Sequence, residues 1–260
     1  MLHVVLRVAV GLALLIARPA AADPCAAALA DAQAHIRFVY DGDTVLGELT
    51  GSQQTRIRLI GIDTPELGRD GASSEPLARE ARAALRRMLA RSERRVDLRF
   101  GRRRRDRYGR ALAHVYLADG ASVQTALLER GLAVLLVRPP NIGHLACYRR
   151  AEARARGARR GLWALPRFRP VDAARLPAAE PGFRVVRGRV REIGNSLRSV
   201  WLELEGGLSL RIDRQDLEYF DLPWLARLKG RSITARGWLY RYRGRPRMRI
   251  HHPAVLELGR

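Results

Sequence analysis

The 260-residue sequence predicts a β-rich α+β protein made of two small closed barrels joined by a short linker. Three observations carry that expectation. Residues 34–118 read mainly as short strands punctuated by turns. Residues 165–182 place Pro166, Pro170, Pro177 and Pro181 among alanines and arginines, a linker composition. Beyond them the strand signals resume as three strands, a helical insert and two more strands.

In the first region, Ile36 to Tyr40 leads into the Asp41-Gly42 turn, and Val45 to Leu49 returns from it as a hairpin arm. Thr55 to Ile62 mixes apolar and charged residues in a way that suits a curved barrel strand. Ser74 reads as a helix N-cap, with Pro76 in the first turn. Leu77, Ala81, Leu85, Met88 and Leu89 then recur at helical spacing. Val96 to Phe100 and Ala111 to Leu117 form a strand pair around a loop carrying Arg102 to Arg105. A second helix runs from a Ser122 cap to Gly131, and a third from about His144 to Gly157. Five strands with interleaved helices predict a closed barrel of the OB type. In the second region, Val185 to Ile193, Val200 to Leu204 and Leu208 to Ile212 are separated by turns at Gly194-Asn195 and Gly206-Gly207. Gln215 to Leu228 is helical in pattern but interrupted by Pro223. Ser232 to Tyr240 and Met248 to Leu258 complete a second, OB-like order.

The formal charge is +22, carried almost wholly by arginine, with Lys229 the only lysine. Such a surplus points to polyanionic partners, chiefly nucleic acid. A base-composition bias would explain arginine over lysine but not the excess over acid. Arg7, the apolar run Val8 to Ile16 and the small residues Ala20-Ala21-Ala22 read as a secretory signal cleaved after Ala22. The run is short for a membrane span. The expected organisation is therefore a signal at 1–22, a first domain at 23–165, a linker at 166–182 and a second domain at 183–260. An exported location, periplasmic or secreted, makes a Cys25–Cys147 disulfide the expected use of the two cysteines. Neither has a partner at zinc-like spacing. A monomer with no stable membrane insertion is expected.

Three segments of the first region carry chemistry: Asp41-Gly42-Asp43-Thr44, Arg58-Leu59-Ile60-Gly61-Ile62-Asp63-Thr64-Pro65-Glu66, and Asp106-Arg107-Tyr108-Gly109-Arg110. Carboxylates can hold a hard cation and steer a water; arginines can grip a phosphate through a planar fork. Taken alone, Asp-Gly is ordinary turn chemistry and each arginine is one of many. The three segments together specify more than any one of them.

Together they resemble the staphylococcal (micrococcal) nuclease family, the thermonuclease-like proteins. The resemblance covers about residues 34–165, closed by Gly161-Leu162-Trp163. The tail at 183–258 is similar, more weakly, to an extra C-terminal domain of some bacterial members. The resemblance implies an OB barrel with three helices and calcium-dependent hydrolysis of DNA and RNA leaving 3′-phosphates. It implies that Asp43, Asp63 and the Thr64 carbonyl ligate Ca2+. Glu66 then positions or deprotonates the attacking water, and Arg58 and Arg110 hold the phosphate as charge grows on it. Tyr108 and its neighbour Arg107 fall at substrate-contacting positions. One departure stands out. Where family members place a base-stacking tyrosine after Gly-Leu-Ala, this chain reads Val134-Leu135-Leu136-Val137-Arg138-Pro139, with no aromatic. Two other readings stay open at this level: a nuclease-like binding module without catalysis, and a cationic envelope protein that adheres to anionic polymers.

Overall fold

The computed structural model describes Cys25 and residues 29–51, 53–68, 70–176 and 181–259. The expected signal at 1–22 lies outside the described residues. Strands β1 (Ala32–Val39), β2 (Thr44–Leu49) and β3 (Gln54–Leu59) form a meander. A two-residue strand, β4 (Ile62–Asp63), follows. Helix α1 (Ala78–Arg91) then leads to β5 (Arg95–Arg105) and β6 (Ala111–Tyr116). β3 pairs in parallel with β6, β6 antiparallel with β5, and β5 with β1, closing a five-stranded barrel. Helix α2 (Val123–Glu129), the short β7 (Val134–Leu135) and helix α3 (Leu145–Gly157) pack on its outside.

Alternation decides which residues fill the barrel. On β3, Ile57 and Leu59 are fully buried while Arg56 and Arg58 point outward between them. Ile36, Val45, Leu98, Ala113 and Val115 complete the interior, roofed by Leu85, Met88 and Leu89 of α1. Each large aliphatic side chain so buried contributes about 1.5–3 kcal/mol. Cys25 and Cys147 are disulfide-bonded, tying the start of the described chain to α3 across 122 residues.

After a segment with two 3-10 turns, β8 (Val171–Asp172) pairs in parallel with β9 (Gly182–Asn195), so the predicted linker carries secondary structure of its own. β10 (Ser199–Leu204), β11 (Ser209–Asp213), the short α4 (Leu222–Ala226), β12 (Ser232–Tyr242), β13 (Arg245–Arg249) and β14 (Leu256–Leu258) follow. Pairing of β12 with β9 closes a second barrel in the order β9-β10-β11-β13-β12. Its core includes Val186, Val190, Leu202, Leu210, Ile212, Ile233 and Met248.

The barrels dock through an aromatic cluster. Phe168 and Phe183 stack at 5.4 Å between ring centroids, and Trp163 and Trp238 flank them edge-on. Beside them Arg236 of β12 is buried between Glu152 of α3, 3.1 Å away, and Glu257 of β14. Glu152 also accepts the Leu135 amide at 2.8 Å. A charge buried this deeply must be paired, so the contact is specific in orientation. Among the described residues, no helix is long and apolar enough to cross a membrane.

Several local expectations are corrected. Ser74 does not cap α1: its hydroxyl accepts from the Gly68 amide, and Leu77, with φ 68°, takes the N-cap position. The strand expected to reach Ile62 ends at Leu59, because Gly61 turns the chain at φ 86° with the Tyr148 ring against it. Arg102 to Arg105 extend β5 instead of looping: pairing to β6 lapses between Phe100 and Arg105, and Asn141 there accepts the Arg103 amide and donates to its carbonyl. β9 continues through Gly194-Asn195. Pro223 starts α4, where its missing N–H costs nothing, so the expected single helix is a 3-10 turn followed by a short helix. The last predicted strand is two, divided by a 3-10 turn at Pro253.

Candidate functional site

The site grows from the turn between β1 and β2. The Tyr40 amide donates to the Thr44 carbonyl, and Asp41 accepts the Asp43 amide at 2.9 Å, so Asp41 braces the turn. Gly42 is required by space: a Cβ there would lie 2.8 Å from Ala81 of α1 and from Thr64. That close approach buries Asp43. One of its carboxylate oxygens accepts from the Thr44 hydroxyl at 3.0 Å and the other from the Thr64 amide at 2.9 Å.

Register supplies the arginine. Thr44 pairs with Arg58 across β2 and β3, which puts the Arg58 guanidinium over the turn. Its Nη2 lies 3.1 Å from Asp43 and 2.6 Å from Asp63. Its Nη1 donates to the carbonyls of Leu59 and Ile62. The Gly61 turn is what swings Asp63 back onto Arg58; β4 is then held by β7, with Asp63 opposite Val134. Three of the predicted residues, Asp43, Arg58 and Asp63, therefore meet, with the Thr64 backbone against them.

One cation shared by two carboxylates leaves the cluster short of positive charge. Burial pushes the Asp43 carboxyl above its usual range against the pull of Arg58, with Asp41 adding to the rise. Burial likewise lifts Asp63 to about 7, although Arg58 opposes it. Desolvation works against the charge on Arg58, but Asp43, Asp63, Asp41 and Glu66 outweigh it and hold its pKa above the ordinary value. The two carboxylates meeting here are hard oxygen donors, a chemistry that suits a hard divalent cation.

Glu66 sits on the exposed loop after Pro65, close enough for its charge to act on both Asp63 and Arg58. The loop is cross-tied by the Glu66 amide to the Glu75 carboxylate and by the Glu75 amide to the Glu66 carbonyl, each 2.9 Å. Arg110 enters from β6. Arg110 immediately precedes that strand, whose first residues Ala111 and Leu112 pair with Ile57 and Arg58. Its guanidinium is turned to Asp106 at 2.7 Å, and Asp106 also accepts the amides of Tyr108 and Arg110. Tyr108 is 67 % exposed and does not pack on the barrel. Arg107 and Arg110 lie over its ring at 4.7 and 5.6 Å, and Arg107 donates to its hydroxyl.

Two residues near this centre were not singled out from sequence. Arg138 stands where an aromatic was looked for, within electrostatic reach of Asp63. Burial lowers its pKa, and Arg249 and Arg58 add to that against the pull of Asp63 and Asp216. Trp238 comes from the second barrel and, with Phe168 and Phe183, walls an apolar cleft of about 310 Å³ beside Asp63, Thr64 and Pro65. The charged replacement for an aromatic was a visible signal for Arg138; Trp238 had none, because only docking of the barrels brings it here.

The chain matches the family model described as staphylococcal nuclease homologue over residues 56–165. It is 33 % identical over 128 residues to a thermonuclease of Staphylococcus intermedius, covering 49 % of this chain and 74 % of that protein. A thermonuclease of Staphylococcus hyicus is 32 % identical over 125 residues, 48 % of this chain and 72 % of the relative. The endonuclease YncB of Bacillus subtilis (strain 168) is 34 % identical over 124 residues, 47 % and 57 % of the two chains.

Proposed function

This chain belongs to the staphylococcal nuclease homologue family, and on that premise we propose that it is an exported, calcium-dependent nuclease cutting DNA and RNA to 3′-phosphates. The observation that carries the reading is Arg58 held between Asp43 and Asp63 at 3.1 and 2.6 Å. The same centre then offers a guanidinium to a phosphate and two desolvated carboxylates to a cation.

Asp43, Asp63 and the Thr64 carbonyl would hold Ca2+, which supplies positive charge beside a phosphate oxygen and balances the two acids. Glu66 takes a proton from water as the new O–P bond forms and the bond to the 5′-oxygen breaks, and that oxygen takes a proton from solvent to leave as a hydroxyl. Its loop position lets it approach the substrate from solvent, where the attacking water comes from. Arg58 and Arg110 bind the extra charge of the five-coordinate phosphorus better than that of the ground state. For Arg110 this means exchanging Asp106 for phosphate, an exchange one carboxylate with several other donors permits. Tyr108 and Arg107 stand at the rim for a neighbouring phosphate. The disulfide fits an oxidising compartment.

The test is cleavage of single- and double-stranded DNA and of RNA by the purified protein, with calcium or with EDTA. Cleavage with calcium alone, giving 3′-phosphate ends, is expected. Full activity in EDTA would overturn the cation's part, and no cleavage of any substrate would overturn the reading as a whole.

A further inference from the structure

The second barrel has an outward sheet face with an unusual composition. β13 points Arg245, Arg247 and Arg249 outward while Met248 fills the core. Tyr240 pairs with Arg247 from β12, Tyr242 with Arg245, and across β11 the Trp201–Arg211 pair continues the face onto β10. Arg247 lies 4.7 Å from the Trp201 ring centroid and 4.5 Å from that of Tyr242. Its Nε is buried without a hydrogen-bond partner, and no carboxylate pairs with its guanidinium among the described residues. Three acids lie on this face: Asp213 on β11, Glu203 on β10 and, opposite it, Glu192 on β9, the last two separated from β13 by one and two intervening strands. Asp213 is held by Arg211 at 2.7 Å and Arg249 at 3.4 Å, and Glu203 accepts from the Ser209 hydroxyl.

A structural arginine is normally paired with a carboxylate or a carbonyl. Arg247 is instead sandwiched between rings, which fixes its plane and leaves its charge unneutralised. Tyr242 is 48 % exposed, a large ring surface left in water. The face also joins the catalytic centre. Arg138, beside Asp63, lines a cleft of about 330 Å³ with Tyr240 and Arg249, and donates to His251 on its far wall.

Building on the nuclease reading, we propose that this face is a binding track for single-stranded nucleic acid that continues the substrate groove out of the catalytic site. The strand passes Arg138, its phosphates lie along Arg249 and Arg247, and its unstacked bases stack on Tyr242 and Tyr240. Fixed positive charge interleaved with aromatic rings suits a flexible strand, because every base has a face to stack and a duplex does not expose it. The track lies in the second barrel, so it supplies the stacking surface that the 134–139 segment lacks.

The test uses the full chain in EDTA, where binding is read without cleavage. Affinities for oligothymidylates of 20 and 4 nucleotides are measured by fluorescence anisotropy. The parent should prefer the 20-mer at least tenfold beyond the statistical factor for extra sites. Arg247→Glu should remove most of that preference and flatten its salt dependence. Tyr242→Ala, at a half-exposed ring whose loss cannot unfold the barrel, should lower it several-fold, with melting curves checking both variants. No length preference in the parent, equal preference in the variants, or equally tight binding of a 20-base-pair duplex would each overturn the track. Cleavage is assayed separately. A protein that shows the length preference but cuts nothing would refute the nuclease reading and leave the track standing.

Discussion

The two barrels share one topology and opposite charge logic. Each closes five strands in the order first-second-third-fifth-fourth, with the third and fifth parallel. Each places its polar cluster at the same corner, where the second strand begins and the third ends. In the first barrel that corner holds one arginine, Arg58, between two carboxylates. In the second it holds one carboxylate, Asp213, between two arginines, Arg211 and Arg249. The first arrangement is short of positive charge and invites a cation. The second is short of negative charge and invites a phosphate. On the two readings proposed above, one backbone plan serves chemistry at one end and grip at the other, which is why function must be argued from the site and not from the fold.

The comparison breaks most visibly at Glu66. If only the first barrel reacts, Glu66→Gln lowers kcat by about 10²–10⁴-fold while binding of DNA in EDTA is retained; steady-state kinetics beside anisotropy reads both. The next largest effect concerns stability. His114 is buried in the first barrel against Tyr148, and burial, then His144, lowers its pKa to about 3. The unfolded imidazole titrates near 6.5. Between those values the unfolded chain carries the extra proton, so the first barrel's stability is full above pH 6.5 and falls as pH drops toward 3. The full loss is roughly 5 kcal/mol. Urea unfolding at stepped pH should show that slope in the parent and lose it in His114→Asn. The smallest effect belongs to the second corner. Asp213→Asn frees Arg211 and Arg249 from their one carboxylate and should tighten oligonucleotide binding by about 2–5-fold, as expected for a single partly exposed charge.

Much of this was legible in the chain, and the failures have physical causes. Asp43, Arg58 and Asp63 were singled out because their separate segments resemble, in order, the motifs of the nuclease family, and the fold brings the three side chains together. Most strands of both barrels followed from turn residues and apolar alternation, and their succession along the chain matched an OB-like plan. The Ser74 cap failed because Ser74 was more useful closing the Gly68 loop, and Leu77 could enter the left-handed region under tertiary packing. The Arg102 to Arg105 run was read as a loop because charge density resembles a solvated turn; the Asn141 side chain, 38 residues on, holds the Arg103 backbone extended. The ring sandwich of Arg247 could not be read at all. Tyr242 is its neighbour in the β12–β13 hairpin, but Trp201 reaches it only through the pairing of β10 with β11 and of β11 with β13.

The central claim is that the Asp43–Arg58–Asp63 corner is an acidic centre built for a divalent cation. The most direct measurement is the melting temperature of the parent and of Asp63→Ala across a calcium titration without substrate. Binding to the folded state alone raises stability by RT ln(1 + [Ca2+]/Kd). The account predicts a rise in the parent that grows with calcium and is absent from Asp63→Ala. An equal rise in both proteins, or none in the parent at millimolar calcium, would contradict it.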